Sequence, residues 1–391
     1  MKIRAKKILL IFFITVLLLS ALYQVLVIQA GNVFVSNLRR LTGQTVSIKT
    51  LTCLPPCNFH LKNLEIGERK DQRYFSAERI SISVSLLASL LQRQPVFTEI
   101  LVFKPGLYFE REEPAKYPAR KPGAHNAVFA PSRLDISNGT VEFIDRMTPA
   151  GKIGITLSRV IVRAVIKNNK PSAGIVTFKA DADLLLGPQS PSGRISLHGR
   201  TDPESGVAKA RLEIKNVDGL YLYPYYAQWL DVEKAHFQKA LLDLSADITG
   251  TGKKFTASCR LELTENQFMP LAQGREPDRP QKLAMLVIDI LKALDNRRAF
   301  VDFSIRFDAD KPQLDWTPLA DALQEKIKKG VAIRPAEIRD VLKLPESLIK
   351  GTVGKLGGMT KSIMGQTMEL EQQLQQSIQD TFIKVTPKQG N

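Results

Sequence analysis

The chain is poor in the residue types that carry most enzyme chemistry. Its 391 residues include four histidines, three cysteines and two tryptophans. His60, His125, His198 and His236 are scattered, and none belongs to an HExxH or HxH cluster, so no zinc-hydrolase site is written in them. A serine flanked as in GxSxG, a GxxxxGK[ST] phosphate loop and a GxGxxG turn after a strand are all missing. Gly351, Gly354, Gly357 and Gly358 lie among helix formers and fit helix flexibility better than a phosphate cradle. Asp181 and Asp183 fall on one strand face, where two acids are ordinarily solvated, and a glycosidase-like pair is the weaker reading. Asn138-Gly-Thr140 matches a glycosylation acceptor, yet an Asn-Gly turn accounts for it. The expectation is a protein that is not an enzyme and needs no cofactor or metal.

Cysteine is sparse but uneven. Cys53 and Cys57 flank Leu-Pro-Pro and could bridge the two arms of a hairpin in an oxidising compartment. One CxxxC supplies only two metal ligands. Cys259 stands alone on the apolar side of a strand, where a buried free thiol is expected.

Against these absences stands one long apolar run. Ile8 to Ile28 (ILLIFFITVLLLSALYQVLVI) carries no formal charge over 21 residues, enough to cross a hydrocarbon core of about 30 Å. Lys2, Arg4, Lys6 and Lys7 precede it, which places the short N-terminus in the cytoplasm. A cleaved signal would have a core of about 7–15 residues and a small-x-small site; this run is longer and no such site follows. The expectation is a single uncleaved anchor with the bulk of the chain across the membrane.

Composition agrees with a folded, exported domain. Hydrophobic residues make up 44% and charged residues 24% of the chain, so it is not disordered. The net charge of +16 suits anionic lipid headgroups better than nucleic acid, which an exported domain rarely meets.

Beyond the anchor, Gly43 is placed to end a short helix. A hairpin follows, with Val46 and Ile48 on one arm, a turn at Leu54–Pro56, and Phe59, Leu61, Leu64 and Ile66 on the other. Ile80, Ile82 and Val84 mark a strand, and Leu86 to Arg93 a short helix. Val96 to Phe103 and Leu107 to Glu110 read as two strands around Lys104-Pro-Gly106. Residues 112–132, rich in Pro, charge and small residues, read as a linker.

From Arg133 the period is two. Leu134 and Ile136 lead to a turn at Asn138-Gly139, then Val141 and Phe143. Ile153, Ile155 and Leu157 form another strand. Val176, Phe178, Ala180, Ala182 and Leu184 alternate with Thr177, Lys179, Asp181 and Asp183. Strands follow around Ala208–Ile214, Leu242–Ile248, Phe255–Leu263 and Val301–Phe307. The pattern predicts an antiparallel sheet of about 12 strands with one apolar face. Two helical insertions interrupt it: the aromatic Asp218–Leu230, and Lys282–Leu294, apolar almost all round with Asp289 as an internal acid. After Trp316, helices are expected over Pro318–Lys329, Pro335–Lys343 and Pro345–Val385. In the last, Leu370, Leu374, Ile378 and Phe382 make an i, i+4 stripe, suited to packing on protein or, in a sharper reading, to a membrane surface or oligomer.

An apolar face this broad must be hidden by a second sheet, by helices or by lipid. A packed sandwich is one solution; a curled sheet holding acyl chains is the other. Strands about 4.8 Å apart would make a groove of about 60 Å from 12 of them.

In this order the chain resembles the AsmA-like proteins of Gram-negative envelopes. The likeness rests on RRLTGQTVSIKTLTCLPPCNFHLKNLEIG and FSAERISISVSLLASLLQRQPVFTEILVFKPGLYFER. Ala77, Ile80, Ile82, Val84, Ser85, Leu86, Leu90, Leu91, Pro105, Leu107, Phe109, Glu110 and Arg111 occupy the pattern positions. LDISNGTVEFIDR, GLYLYPYYAQWL with KALLDLSADITG, and AFVDFSIRFDAD are similar to the group's later sheet. The Cys53–Cys57 pair and the C-terminal helices go beyond the pattern.

The resemblance implies a mainly β, α+β protein: a cytoplasmic tail (1–7), a transmembrane helix (8–30), an N-terminal module (31–111), the linker (112–132), a β-groove domain (133–317) and a C-terminal helical region (318–391). It further implies a cell inner membrane protein with its bulk in the periplasm, related to chorein-type bridge-like lipid-transfer proteins. The implied role is phospholipid binding and lipid transport toward the outer membrane, and so outer membrane biogenesis. On the residues themselves, Val176, Phe178, Ala210, Leu212, Leu244, Ile248, Leu261, Val301, Phe303 and Ile305 are the expected lining. Expected partners are phospholipids and the inner membrane, with envelope proteins or a homo-oligomer completing a span that one short chain does not cover. The rival expectation is an envelope scaffold acting through its basic surface and C-terminal helices.

Overall fold

The computed structural model describes residues 35–36, 38–39, 42–54, 58–68, 73–92, 96–112, 131–148, 151–167, 174–187, 193–202, 204–226, 233–270, 276–308, 317–331, 372–374 and 376. The expected membrane run, the expected linker's 113–130, Cys57 and the helix expected over Pro335–Lys343 lie outside them. Among the described residues no helix is long and apolar enough to cross a membrane.

The protein is mainly β, with one twelve-stranded sheet and a few helices. The strands are β1 (Val46–Leu54), β2 (Asn58–Ile66), β3 (Arg73–Val84), β4 (Phe97–Arg111), β5 (Arg133–Asp145), β6 (Ile153–Lys167), β7 (Ile175–Leu185), β8 (Gly193–Asp202), β9 (Val207–Asp218), β10 (Phe237–Thr251), β11 (Lys254–Phe268) and β12 (Ala299–Asp308). Their order in the sheet is their order in the chain. The helices are α1 (Leu86–Gln92), the single turn α2 (Tyr223–Tyr226), α3 (Arg279–Leu294) and α4 (Thr317–Val331). Two compact units divide the chain, one formed by Met1–Glu110, Tyr117–Phe143 and Ser158–Gly174, the other by Arg111–Lys116, Ile144–Leu157 and Ile175–Asn391.

In the first unit Gly43 closes a helical turn as expected. Its φ is +68° and its N–H donates to the Arg39 carbonyl at 2.8 Å. β1 and β2 form the expected hairpin, with Leu54 opposite Asn58. The core is Leu61, Ile82 and Ile100, ringed by Ile48, Leu51, Phe59, Ile80, Val102 and Leu134.

Two expected turns are not turns. Lys104-Pro-Gly106 lies inside β4: Pro105 pairs with Ala77, Gly106 with Ser76, and Lys104 reaches Glu78 at 2.9 Å. Asn138-Gly139 lies inside β5. In both places one residue takes a left-handed φ, +46° at Lys104 and +55° at Asn138, and the strand then continues. Arg159 in β6 does the same at +51°. These irregularities sit side by side, because a Cβ on Gly139 would lie 3.1 Å from the Pro105 side chain and 3.3 Å from that of Val160. None of them ends its strand, and across Lys104 the pairing keeps its register, Arg79 with Phe103 and Ala77 with Pro105.

In the second unit β8 is a strand the periodicity did not reveal. The aromatic stretch after β9 is helical only over Tyr223–Tyr226 among the described residues, and Asp218, expected in that insertion, is the last residue of β9. Tyr221 is anchored there by a 2.8 Å hydrogen bond from its hydroxyl to the Gly154 carbonyl.

α3 begins where Asp278 accepts a 3.0 Å bond from the Gln281 N–H, with Pro280 just inside. Leu283 and Ile290 are fully buried with Ala235, Leu286 and Ile327. Asp289, expected as an internal acid, faces outward and is exposed. α4 crosses α3 at Gly330, where any Cβ would collide with the Ile290 side chain. Lys326 ties this layer to the sheet by pairing with Asp295 and donating to the Phe300 carbonyl at 2.7 Å. Leu374, from the expected C-terminal stripe, is 0% exposed in the same cluster, so this part of the stripe packs on protein. Leu370, Ile378 and Phe382 lie outside the described residues.

Candidate functional site

The candidate site is one face of β7–β12 in the second unit. Antiparallel register aligns every second residue of neighbouring strands in rows across the sheet. One row runs Phe178, Gly199, Ala210, Ile248, Ala257, Ile305. The next runs Ala180, Leu197, Leu212, Ala246, Cys259, Phe303, and a third Ala182, Ile195, Ile214, Leu244, Leu261, Val301. A fourth, on the other side of the first, runs Val176, Thr201, Ala208, Gly250, Phe255, Phe307. No charged side chain occurs in the four rows, which cross five strand spacings, about 24 Å.

The register therefore brings all ten expected lining residues onto one face: Val176, Phe178, Ala210, Leu212, Leu244, Ile248, Leu261, Val301, Phe303 and Ile305. It adds β8 residues that were missed, Ile195 and Leu197. Their alternation is present in the sequence but breaks after two apolar positions at Gly199. A Cβ on Gly199 would lie 2.8 Å from Phe178 Cζ and 2.5 Å from the Lys209 carbonyl. The Phe178 ring thus lies over the glycine and supplies the bulk that β8 lacks there. Phe255 covers Gly250 in the same way and stacks on Phe307 with centroids 5.4 Å apart.

Cover over this face is uneven. On β12, Val301, Phe303 and Ile305 are 6%, 9% and 5% exposed, and Leu319 and Ala322 of α4 pack there. At one end Tyr221 and Leu222 pack with Leu184, Leu186 and Val217. Between these covers, Val176, Phe178, Ala180, Ile195, Leu197, Ala210 and Leu212 remain only half-buried. No second sheet lies over them among the described residues, since all twelve strands belong to one sheet.

Cys259 is buried on this face beneath the α4 end, and burial pushes its thiol pKa up. Cys53 is half-buried opposite Phe59 at the end of β1. The histidines stay apart: His60 contacts Ser81 at 2.9 Å, His236 contacts Asp278 at 2.9 Å, and His198 is exposed on the polar side of β8. Asp181 pairs with Lys179 at 3.2 Å. No group of three His, Cys, Asp or Glu side chains could hold a metal among the described residues.

A separate buried polar cluster stands near the start of the second unit. Asp145, 2% exposed, accepts from the Met147 N–H at 2.8 Å and lies 3.5 Å from Arg111. Tyr225 hydrogen-bonds the same carboxylate; burial, then the Asp145 charge, push its hydroxyl pKa up to about 12. Every member is partnered, as a structural tie requires.

The first unit has its own concavity of about 600 Å³ on β3–β6, lined by Arg79, Leu101, Phe103, Asp135, Ile161 and Arg163 beside the left-handed residues Asn138 and Arg159.

No protein-family model, no curated protein and no solved structure matches the chain.

Proposed function

We propose that the uncharged face of β7–β10 shelters the acyl chains of phospholipids. The observation that carries the reading is the four rows without a charge, covered by protein at β12 and at one end but left half-exposed between. Water is a poor neighbour for such a surface, and acyl contact is favourable at about 25 cal/mol per Å². Together with the AsmA-like pattern and the apolar run Ile8–Ile28, this supports an inner-membrane-anchored periplasmic protein of the curled-groove kind. It would contribute to lipid movement between inner and outer membranes and to outer-membrane upkeep.

The test is a photoreactive amino acid introduced at Ala210 in the full chain, followed by mass spectrometry. A phospholipid adduct at this position, and none when the probe sits at exposed Ser258 on the polar side of β11, is the expected result. Absence of any adduct, with no phospholipid on the gently extracted protein in native mass spectrometry, rejects the reading.

A second reading draws on α4, whose Leu319 and Ala322 occupy part of the same face. An envelope scaffold would extend that cover with a partner helix, and the probe at Ala210 would then capture a polypeptide.

A further inference from the structure

The polar side of β7–β12 is balanced at one end and unbalanced at the other. On β10–β12 opposite charges meet. Arg260 grips Asp302 with bonds of 2.7 and 3.0 Å, Lys239 meets Glu265 at 2.8 Å, and Arg298 pairs with Glu262.

The β8–β9 hairpin does the reverse. Its outward residues are Arg194, Ser196, His198, Arg200 and Asp202 on β8, and Lys215, Glu213, Arg211, Lys209 and Val207 on β9. The register sets Arg194 opposite Lys215, His198 opposite Arg211, and Arg200 opposite Lys209. β7 adds Lys179 opposite His198, where it pairs with Asp181 at 3.2 Å, and sets Asp183 opposite Arg194. All seven of these basic side chains are exposed. Glu213 is divided between Arg211 at 3.0 Å and Lys215 at 3.9 Å, and Asp247 of β10 lies 3.9 Å from Arg211. Arg200 and Lys209 face each other and, on the neighbouring strands, only the uncharged Thr177 and Thr249. Like charges directly opposite each other weaken a sheet. A strip that repeats the arrangement gains most from an anion supplied from outside.

We propose that the outward face of β8–β9 docks on the surface of an anionic lipid bilayer. Three features favour a bilayer over other polyanions. From Arg194 to Arg200 and from Lys209 to Lys215 the strip contains no Phe, Tyr, Trp, methionine or aliphatic side chain, and Val207 lies only at the hairpin end, whereas protein interfaces are built on such anchors and are poor in charge at their centres. It also lacks the stacking platforms that single-stranded nucleic acid uses. Its fixed cations span two strands and about 20 Å along them, and mobile lipid phosphates can rearrange to meet them. The proposal uses the side of the sheet opposite the acyl-chain face, and it holds or fails independently of that reading.

The test places the full chain in phosphatidylcholine nanodiscs and mixes them with large vesicles of phosphatidylcholine alone or with about a third phosphatidylglycerol. Co-flotation is expected only with the anionic vesicles, and it falls steeply as salt is raised. A surface cation contributes roughly a fivefold change in binding, so the double variant Arg194→Glu with Arg200→Glu weakens flotation more than 25-fold by that scale. The single variant Arg200→Glu loses flotation roughly fivefold or more yet raises the urea unfolding midpoint, because its like-charge pair with Lys209 becomes an opposite-charge pair while uncharged Thr177 faces it on β7. A merely structural strip would not lose binding while gaining stability. The pair Lys282→Glu with Lys329→Glu changes net charge equally on α3 and α4 and leaves flotation unchanged. Equal flotation with neutral vesicles, equal loss in the control pair, or displacement of the vesicles by a short DNA duplex at matched phosphate overturns the assignment.

Discussion

Leu197→Asp separates a lipid-sheltered face from a protein core. Leu197 sits in the second row between Ala180 and Leu212 and is half-buried. Full burial of a leucine contributes about 1.5–3 kcal/mol, so a half-exposed one supports the fold by about 1 kcal/mol. A carboxylate facing acyl chains is costlier, about 3 kcal/mol on insertion scales, or somewhat over a hundredfold in affinity. The variant therefore folds, with an unfolding free energy from urea titration lowered by about 1 kcal/mol, and carries little phospholipid when extracted and quantified by mass spectrometry. Phe303→Asp is the internal comparison. Phe303 is 9% exposed beneath α4, and a charge there costs about 3–5 kcal/mol or more, enough to unfold much of the unit. If Leu197→Asp keeps the wild-type lipid ratio, or damages folding as severely as Phe303→Asp, the half-exposed rows do not face acyl chains and the reasoning fails.

Three further outcomes follow from local geometry. Gly199→Ala places a Cβ 2.5 Å from the Lys209 carbonyl and 2.8 Å from Phe178 Cζ, and overpacking of this kind costs about 1–3 kcal/mol, read as a lower urea midpoint; an unchanged midpoint would mean the ring does not lie over β8. Asp278→Ala removes the cap on α3 and costs about 1 kcal/mol, measured in the same titration. Tyr225 has its pKa raised to about 12 from an ordinary 10, so its contribution to stability is complete below pH 10 and declines between pH 10 and about 12; Tyr225→Phe should flatten the stability profile in that window, and an identical profile would deny Tyr225 its link to Asp145.

The strands of the second unit were legible because residues such as Lys209–Ile214 and Phe255–Leu263 alternate without interruption. β8 was not, because Gly199 stands where the third apolar side chain belongs and Phe178 fills the place from another strand. A residue borrowed across a sheet leaves no trace in local periodicity. Lys104-Pro-Gly106 and Asn138-Gly139 misled for a different reason. The same residue types serve a hairpin turn and a left-handed residue inside a strand, and only continued pairing, Ser76 with Gly106 and Ala77 with Pro105, tells them apart. The lining residues of the candidate site were readable from alternation, but which of them lie under protein was not. That depends on α4 docking over Phe303 and Ile305, a contact far along the chain.

The consecutive strand order has a consequence for how the molecule is made. Since each strand neighbours the one made just before it, a chain emerging from one end can add hairpins one after another, without waiting for a remote stretch to arrive. Pairing that stays close in sequence is the fast kind. The late arrivals are α4 and Leu374, which close over surface laid down earlier. Until they come, a growing chain presents its newest greasy strands bare, and that interval is when a chaperone would be needed most.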